Sequence, residues 1–153
     1  MSYQGALFET ESAMNLPAQI GRAKVTSRRV KQILTKPTGA LKDLDFTLNP
    51  YMGCSFACEY CYAAFFQAED SKMRDWGLWV EVKEGAVEAL RREKKLAGSH
   101  VMIGSSTDPY QPIEKETRLT RSLLEEMLRI QPQPRIRIQT RSPIVSRDLD
   151  ILQ

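Results

Sequence analysis

The three cysteines of this 153-residue chain fall within eight consecutive positions, Cys54-Ser55-Phe56-Ala57-Cys58-Glu59-Tyr60-Cys61. A C-x3-C-x2-C run obliges one short loop to offer all its thiolates together. Soft thiolates select zinc, copper(I) or iron–sulfur clusters. Structural zinc takes four closed ligands, usually as two spaced pairs. The single histidine, His100, belongs to no such pair and opens an apolar stretch, so a Cys3His site is the weaker reading. A four-thiolate ferredoxin cluster lacks its fourth ligand. A 4Fe-4S cluster on Cys54, Cys58 and Cys61 leaves one iron without a protein ligand. That iron is open to a small molecule, which favours an enzyme over an electron carrier.

The chain is about one domain long. An odd, clustered set of cysteines is no disulfide framework, and the N-terminus lacks a secretory layout, so cytoplasm is the expected compartment. No apolar run approaches the roughly 18 residues of a membrane span, so no membrane partner is expected. Net charge is only +3, but Arg22 to Lys42 carries seven basic residues and no acidic one. That run can track phosphates, making nucleic acid a candidate partner, or it can be a solvated arm. No aromatic residue is interleaved there to stack on bases.

Patterning divides the chain into a basic N-terminal arm or extension, 1–44, and an α/β region, 45–153. Residues 1 to about 24 read as mobile or extended, and Val30, Ile33 and Leu34 as one helical turn. Asp45-Phe46-Thr47-Leu48 predicts a short strand and Phe65 to Arg74 a short helix or an irregular excursion. Leu78 to Lys83 alternates as a strand, and a helix from Glu84 to about Gly98 presents Ala86, Val87, Leu90 and Leu96. His100 to Gly104 is a buried strand. Thr120 is the expected cap of a helix carrying Leu123, Leu124, Met127 and Leu128. Arg135 to Thr140 is a further strand, and Ser146 the expected cap of a final helix. This alternation predicts one parallel sheet, and its abrupt end predicts the first half of a larger barrel, with a short three-layer domain as the lesser alternative. The cysteine loop then follows a strand end, where such sheets put their active sites. Gly53 is expected to let backbone approach a cluster. Phe56, Tyr62, Phe65 and Phe66 are expected to form an apolar wall beside it, with Tyr60 fixed between two thiolates.

The C-x3-C-x-aromatic-C loop resembles that of radical S-adenosylmethionine enzymes. Leu48 to Cys54, Gly104 to Glu114, Arg118 to Arg121, Thr140 to Pro143 and Arg147 to Asp150 resemble their spore photoproduct lyase-like branch. The resemblance covers roughly residues 30–153. It implies a partial (β/α) TIM-like barrel of the radical SAM type, of which this chain supplies about the first three βα units. It implies a 4Fe-4S cluster on Cys54, Cys58 and Cys61 whose open iron chelates S-adenosyl-L-methionine. Reductive cleavage of that cofactor would give a 5′-deoxyadenosyl radical, with a flavodoxin- or ferredoxin-type electron donor. By motif position Tyr60 lies near the adenosyl group and Thr107 contacts the methionyl end. Arg141 stands where relatives carry lysine and pairs with the cofactor carboxylate. Asp108 and Glu114 form a carboxylate pair that either meets substrate or only turns the loop.

One departure matters. The lyase itself uses a cysteine near the second strand's end as hydrogen donor, where this chain carries Ser105. A serine O–H bond is too strong for that role, which argues against thymine-dimer repair by that route. A catalytically inactive or accessory iron–sulfur or nucleic-acid-binding protein is the alternative.

Overall fold

Residues 14–153 are described by this computed structural model, so part of the 1–24 segment lies outside the described residues. Two four-stranded sheets organise them. The first contains β1 (Gln19–Ile20), β2 (Ala23–Arg29), β5 (Tyr51–Met52) and β6 (Trp79–Glu84), in the order β1-β2-β6-β5. The second contains β3 (Leu34–Thr35), β4 (Phe46–Leu48), β7 (His100–Ile103) and β8 (Arg135–Ile138), in the order β3-β4-β7-β8. Four helices accompany them: α1 (Asp70–Arg74), α2 (Ala86–Arg91), α3 (Glu114–Thr117) and α4 (Leu119–Leu128). The architecture is mixed α/β, and neither sheet closes on itself among the described residues.

The parallel pairings are β2 with β6, β4 with β7 and β7 with β8, while β1, β3 and β5 add antiparallel edges. One expectation is corrected here: the strand at 79–84 does not join the sheet of β4 and β7. After β4 the chain turns at Asn49-Pro50 and continues as β5, which draws β6 alongside it. The far side of β6 is taken by β2. The basic run therefore contains strands. Ala23 and Val25 are buried while Lys24 and Thr26 face out, the period-2 pattern of a half-buried strand. Leu34, expected in a helical turn, instead pairs with Leu48 in β3. Of the seven basic residues, Lys24, Arg28 and Arg29 lie in β2, and Arg22, Lys31, Lys36 and Lys42 lie in the connections between strands.

The core lies where α2 and α4 cover the sheets. Val80, Val82, Val101 and Ile103 meet Ala86, Leu90, Leu123, Leu124 and Met127. Each aliphatic side chain so buried contributes about 1.5–3 kcal/mol. Helix α2 stops at Arg91, earlier than expected, although Leu96 still reaches the core from the following turns. The caps differ from expectation too. The Thr120 hydroxyl donates to Pro109 O, and the first turn of α4 is capped by Glu114. The last segment is a 3-10 turn, Pro143–Asp148, whose Ile144 N–H is accepted by the Ser142 hydroxyl rather than capped by Ser146.

Candidate functional site

A cavity of about 320 Å³ opens at the C-terminal ends of β4, β7 and β8. This is where open α/β sheets hold ligands, because successive loops leave the sheet there and diverge. One wall is the cysteine loop, with Cys54, Phe56, Cys58, Tyr60, Cys61 and Tyr62. The loop after β7 supplies Gly104 to Asp108, and the chain after β8 supplies Gln139, Thr140 and Arg141. Cys54, Cys58, Cys61, Tyr60, Thr107 and Arg141, to which the family resemblance gives cofactor roles, all line this one cavity.

The three thiols are free of disulfide bonds. Cys54 is only 7% exposed, and burial pushes its thiol pKa up. The backbone N–H groups of Asp108 and Phe56, directed at its sulfur, offset part of that rise. Cys58 and Cys61 are half-buried. Arg141 Nη1 donates to Cys58 Sγ at 2.7 Å and to the Tyr60 hydroxyl at 3.5 Å, and its guanidinium lies 5.5 Å from the centre of the Phe56 ring. The thiol contact, with the nearby charge, raises the Arg141 pKa further, so the side chain is a fixed cation at the cavity.

Asp108 ties the second and third loops together. Its Oδ1 accepts from the Thr140 hydroxyl at 2.6 Å and from Tyr110 N at 2.8 Å, and its Oδ2 accepts from Arg141 N at 2.8 Å. These bonds satisfy the carboxylate and point the residue at 141 toward the cysteines. Thr107 is buried, and its hydroxyl donates to Tyr51 O at 3.1 Å. Asn49, which the sequence reading passed over, holds the same loop from the end of β4. Its Nδ2 donates to Ser105 Oγ at 2.9 Å and its Oδ1 accepts from Ser106 N at 3.0 Å. The Tyr62 hydroxyl donates to Ser105 O.

Several expected contributors stand elsewhere. Phe65 and Phe66 are 74% and 79% exposed and do not line the cavity. They sit at the end of a 3-10 turn, Tyr62–Phe66, whose geometry directs them outward. Gly53 is required by the fold itself. It adopts φ +70°, and a Cβ there would collide with the backbone and ring of Trp79. Gly104, at φ +94°, is likewise required, because a Cβ would strike Gln139 O and Pro109.

Glu114 is fully buried behind the site rather than paired with Asp108. It accepts from Tyr51 OH, from Thr120 N at 2.9 Å and from Arg147 Nη2 at 2.8 Å. His100 opens β7, whereas the cavity lies beyond the strand's other end, about 10 Å away at the usual rise. That separation removes the Cys3His reading.

A cluster's demands can be set against these residues. Among the described residues no three His, Cys, Asp or Glu side chains converge as ligands of one ion. A 4Fe-4S cube asks for something else, one thiolate on each of three irons. Three free thiols on one cavity wall are a donor set of that kind, so the residues fit the group.

No family model matches the chain. No solved structure matches it either. Its relatives include "Uncharacterized protein MJ0683" of Methanocaldococcus jannaschii, 36% identical over 108 residues, or 71% of this chain and 39% of the relative. "Uncharacterized protein ORF301" of Acidianus two-tailed virus is 34% identical over 116 residues, 70% of this chain and 37% of that one. "Uncharacterized protein Rv2578c" of Mycobacterium tuberculosis is 30% identical over 128 residues, 80% of this chain and 37% of that protein. The chain thus spans less than two fifths of the length of these relatives.

Proposed function

We propose that the chain carries the cluster-binding part of a radical S-adenosylmethionine enzyme. The observation that carries this reading is one cavity with three free thiols on one wall and Thr107, Asp108 and Arg141 on the others. Cys54, Cys58 and Cys61 would hold a 4Fe-4S cluster. Bound there, that cluster would supply the electron for reductive cleavage of S-adenosyl-L-methionine, the protein's part being to place and shield both groups.

The chain's own residues have distinct tasks. Arg141 offers a permanent charge and a planar donor face to a carboxylate, and Asp108 orients it through the backbone at 141. Thr107 and Asn49 hold the loop after β7 against the cysteine-bearing segment. Phe56 and Tyr62 give the cavity an apolar lining, and Tyr60 reaches over its mouth. Ser105 offers no thiol and its hydroxyl accepts from Asn49, so thiol-quenched thymine-dimer repair is not part of the proposal.

A partial TIM-like barrel completed by further βα units, a flavodoxin- or ferredoxin-type reductase and a cytoplasmic setting accompany this reading as proposals. No helix among the described residues is long and apolar enough to cross a membrane. Nucleic acid remains a proposed substrate or partner. The exposed side chains of Arg22, Lys24, Lys31, Lys36 and Lys42 favour it, and Arg28 is engaged by Glu81 at 3.0 Å.

Anaerobic reconstitution with iron and sulfide, then reduction in the presence of S-adenosylmethionine, tests the central claim. The expected result is a 4Fe-4S absorption spectrum and formation of 5′-deoxyadenosine. A chain that takes up neither iron nor sulfide would sink it.

A further inference from the structure

Gln111 is fully buried in the loop between β7 and α3, and its side-chain amide spans the peptide groups on both sides of Cys54. Its Nε2 donates to Gly53 O at 3.1 Å, and its Oε1 accepts from Ser55 N at 3.0 Å. Donor meets acceptor at each end, so one planar amide does for this turn what a neighbouring strand does for a ladder. Within the cysteine loop the backbone bonds are Ala57 N to Cys54 O at 3.4 Å and Cys61 N to Cys58 O at 3.0 Å. Gln111 is in turn fixed by Glu114 N donating to its carbonyl at 2.8 Å.

We infer that Gln111 is a positioning residue that clamps Cys54, and Cys54 alone among the three cysteines, in its buried site. The inference rests on the cluster reading for its consequence. A clamped Ser55 N–H is withheld from the sulfurs of a bound cluster, and N–H bonds to sulfur are one determinant of cluster potential. The clamp itself is a property of the chain without a cluster.

Alkylation of the reduced, cluster-free chain by iodoacetamide, followed cysteine by cysteine with peptide mass mapping, tests it. In Gln111→Leu, Cys54 is expected to react about tenfold faster or more, the effect on local opening of losing both hydrogen bonds of the amide. Cys58 and Cys61 keep their rates, and thermal unfolding stays cooperative. Gln111→Glu keeps the acceptor for Ser55 N and loses the donor to Gly53 O. Its Cys54 rate is expected to be intermediate, falling back toward the parent value as acid protonates the new carboxyl. Should Gln111→Leu fail to fold, this second variant and its pH dependence carry the test.

Equal acceleration at all three cysteines, or none at Cys54, overturns the clamp. Selective acceleration at Cys54 in a chain that never takes up iron upholds the clamp and rejects the cluster reading. Where iron is bound, Gln111→Leu is expected to shift the cluster's midpoint potential to more positive values.

Discussion

The two ends of the loop after β7 both carry a carboxylate, Asp108 and Glu114, and serve opposite purposes. At its start, Gly104 to Asp108 line an open cavity that also holds three free thiols. At its end, Glu114 joins Arg121, Arg147 and Asp148 in a buried hub. Arg121 meets Asp148 at 3.0 Å and Asp150 at 2.7 Å, and Arg147 meets Glu114 and Asp148, each at 2.8 Å. Charges in the hub are spent on one another and on the first turn of α4. Those at the cavity, Asp108 and Arg141, also have protein partners but border open space beside three thiols. Polarity alone does not mark a site; polar groups aimed at space that protein does not fill do.

Breaking the hub should have the largest effect. Glu114→Ala takes the acceptor from the buried Tyr51 hydroxyl and Thr120 N–H and leaves Arg147 with Asp148 only, at an expected loss of about 2–4 kcal/mol read by urea unfolding. A parent-like midpoint would mean that the hub is not structural. The cavity should respond in the reverse way. Cys58→Ser and Cys61→Ser should change stability by less than about 0.5 kcal/mol, yet each should lose most of the iron bound after reconstitution. Retention of full iron by either variant would remove that cysteine from the ligand set.

Arg141→Met should weaken S-adenosylmethionine binding about tenfold by calorimetry, the scale of one charge-assisted hydrogen bond, with Arg141→Lys in between. Unchanged affinity in both would leave Arg141 as a partner of Cys58 only.

Acid offers a milder probe of the hub. Burial pushes the Asp148 carboxyl up, but Arg147 and Arg121 outweigh it and hold its pKa below the ordinary aspartate value. Its stabilisation is therefore complete above about pH 4 and lost as pH falls through the depressed value. Asp148→Asn should flatten that acid limb of a stability–pH curve.

Smallest is Lys83 on β6. Burial, with Arg28 beside it, lowers its pKa to about 8. Between about 8 and the ordinary 10.5 the unfolded chain binds the extra proton, so stability should rise with pH across that window. Lys83→Met should be more stable at pH 7 by about 1 kcal/mol and should lack the rise.

Local patterns carried much of this molecule. Phe46 to Leu48, Leu78 to Lys83 and His100 to Ile103 alternate or run apolar plainly enough to be read as strands, and each is one or falls largely within one. Strand β2 was hidden because Thr26-Ser27-Arg28-Arg29 has no apolar face of its own and is held by pairing with β6. The caps were misassigned for a related reason. Thr120 sits at plausible spacing to cap α4, but the helix begins one residue earlier, the Thr120 hydroxyl donates to Pro109 O, and a carboxylate six residues earlier accepts its N–H.

Linear spacing was enough to put Cys54, Cys58 and Cys61 in one loop and that loop after a strand, because eight residues cannot separate their thiols far. Tertiary structure decided what faces them. Only the parallel register of β4, β7 and β8 brings Thr107 and Arg141 to the same cavity. Only the fold carries Gln111 to both peptide groups around Cys54, across 56 and 58 residues of chain. Such contacts depend on which strands are neighbours, and strand order follows from packing over the whole core rather than from any short stretch of residues.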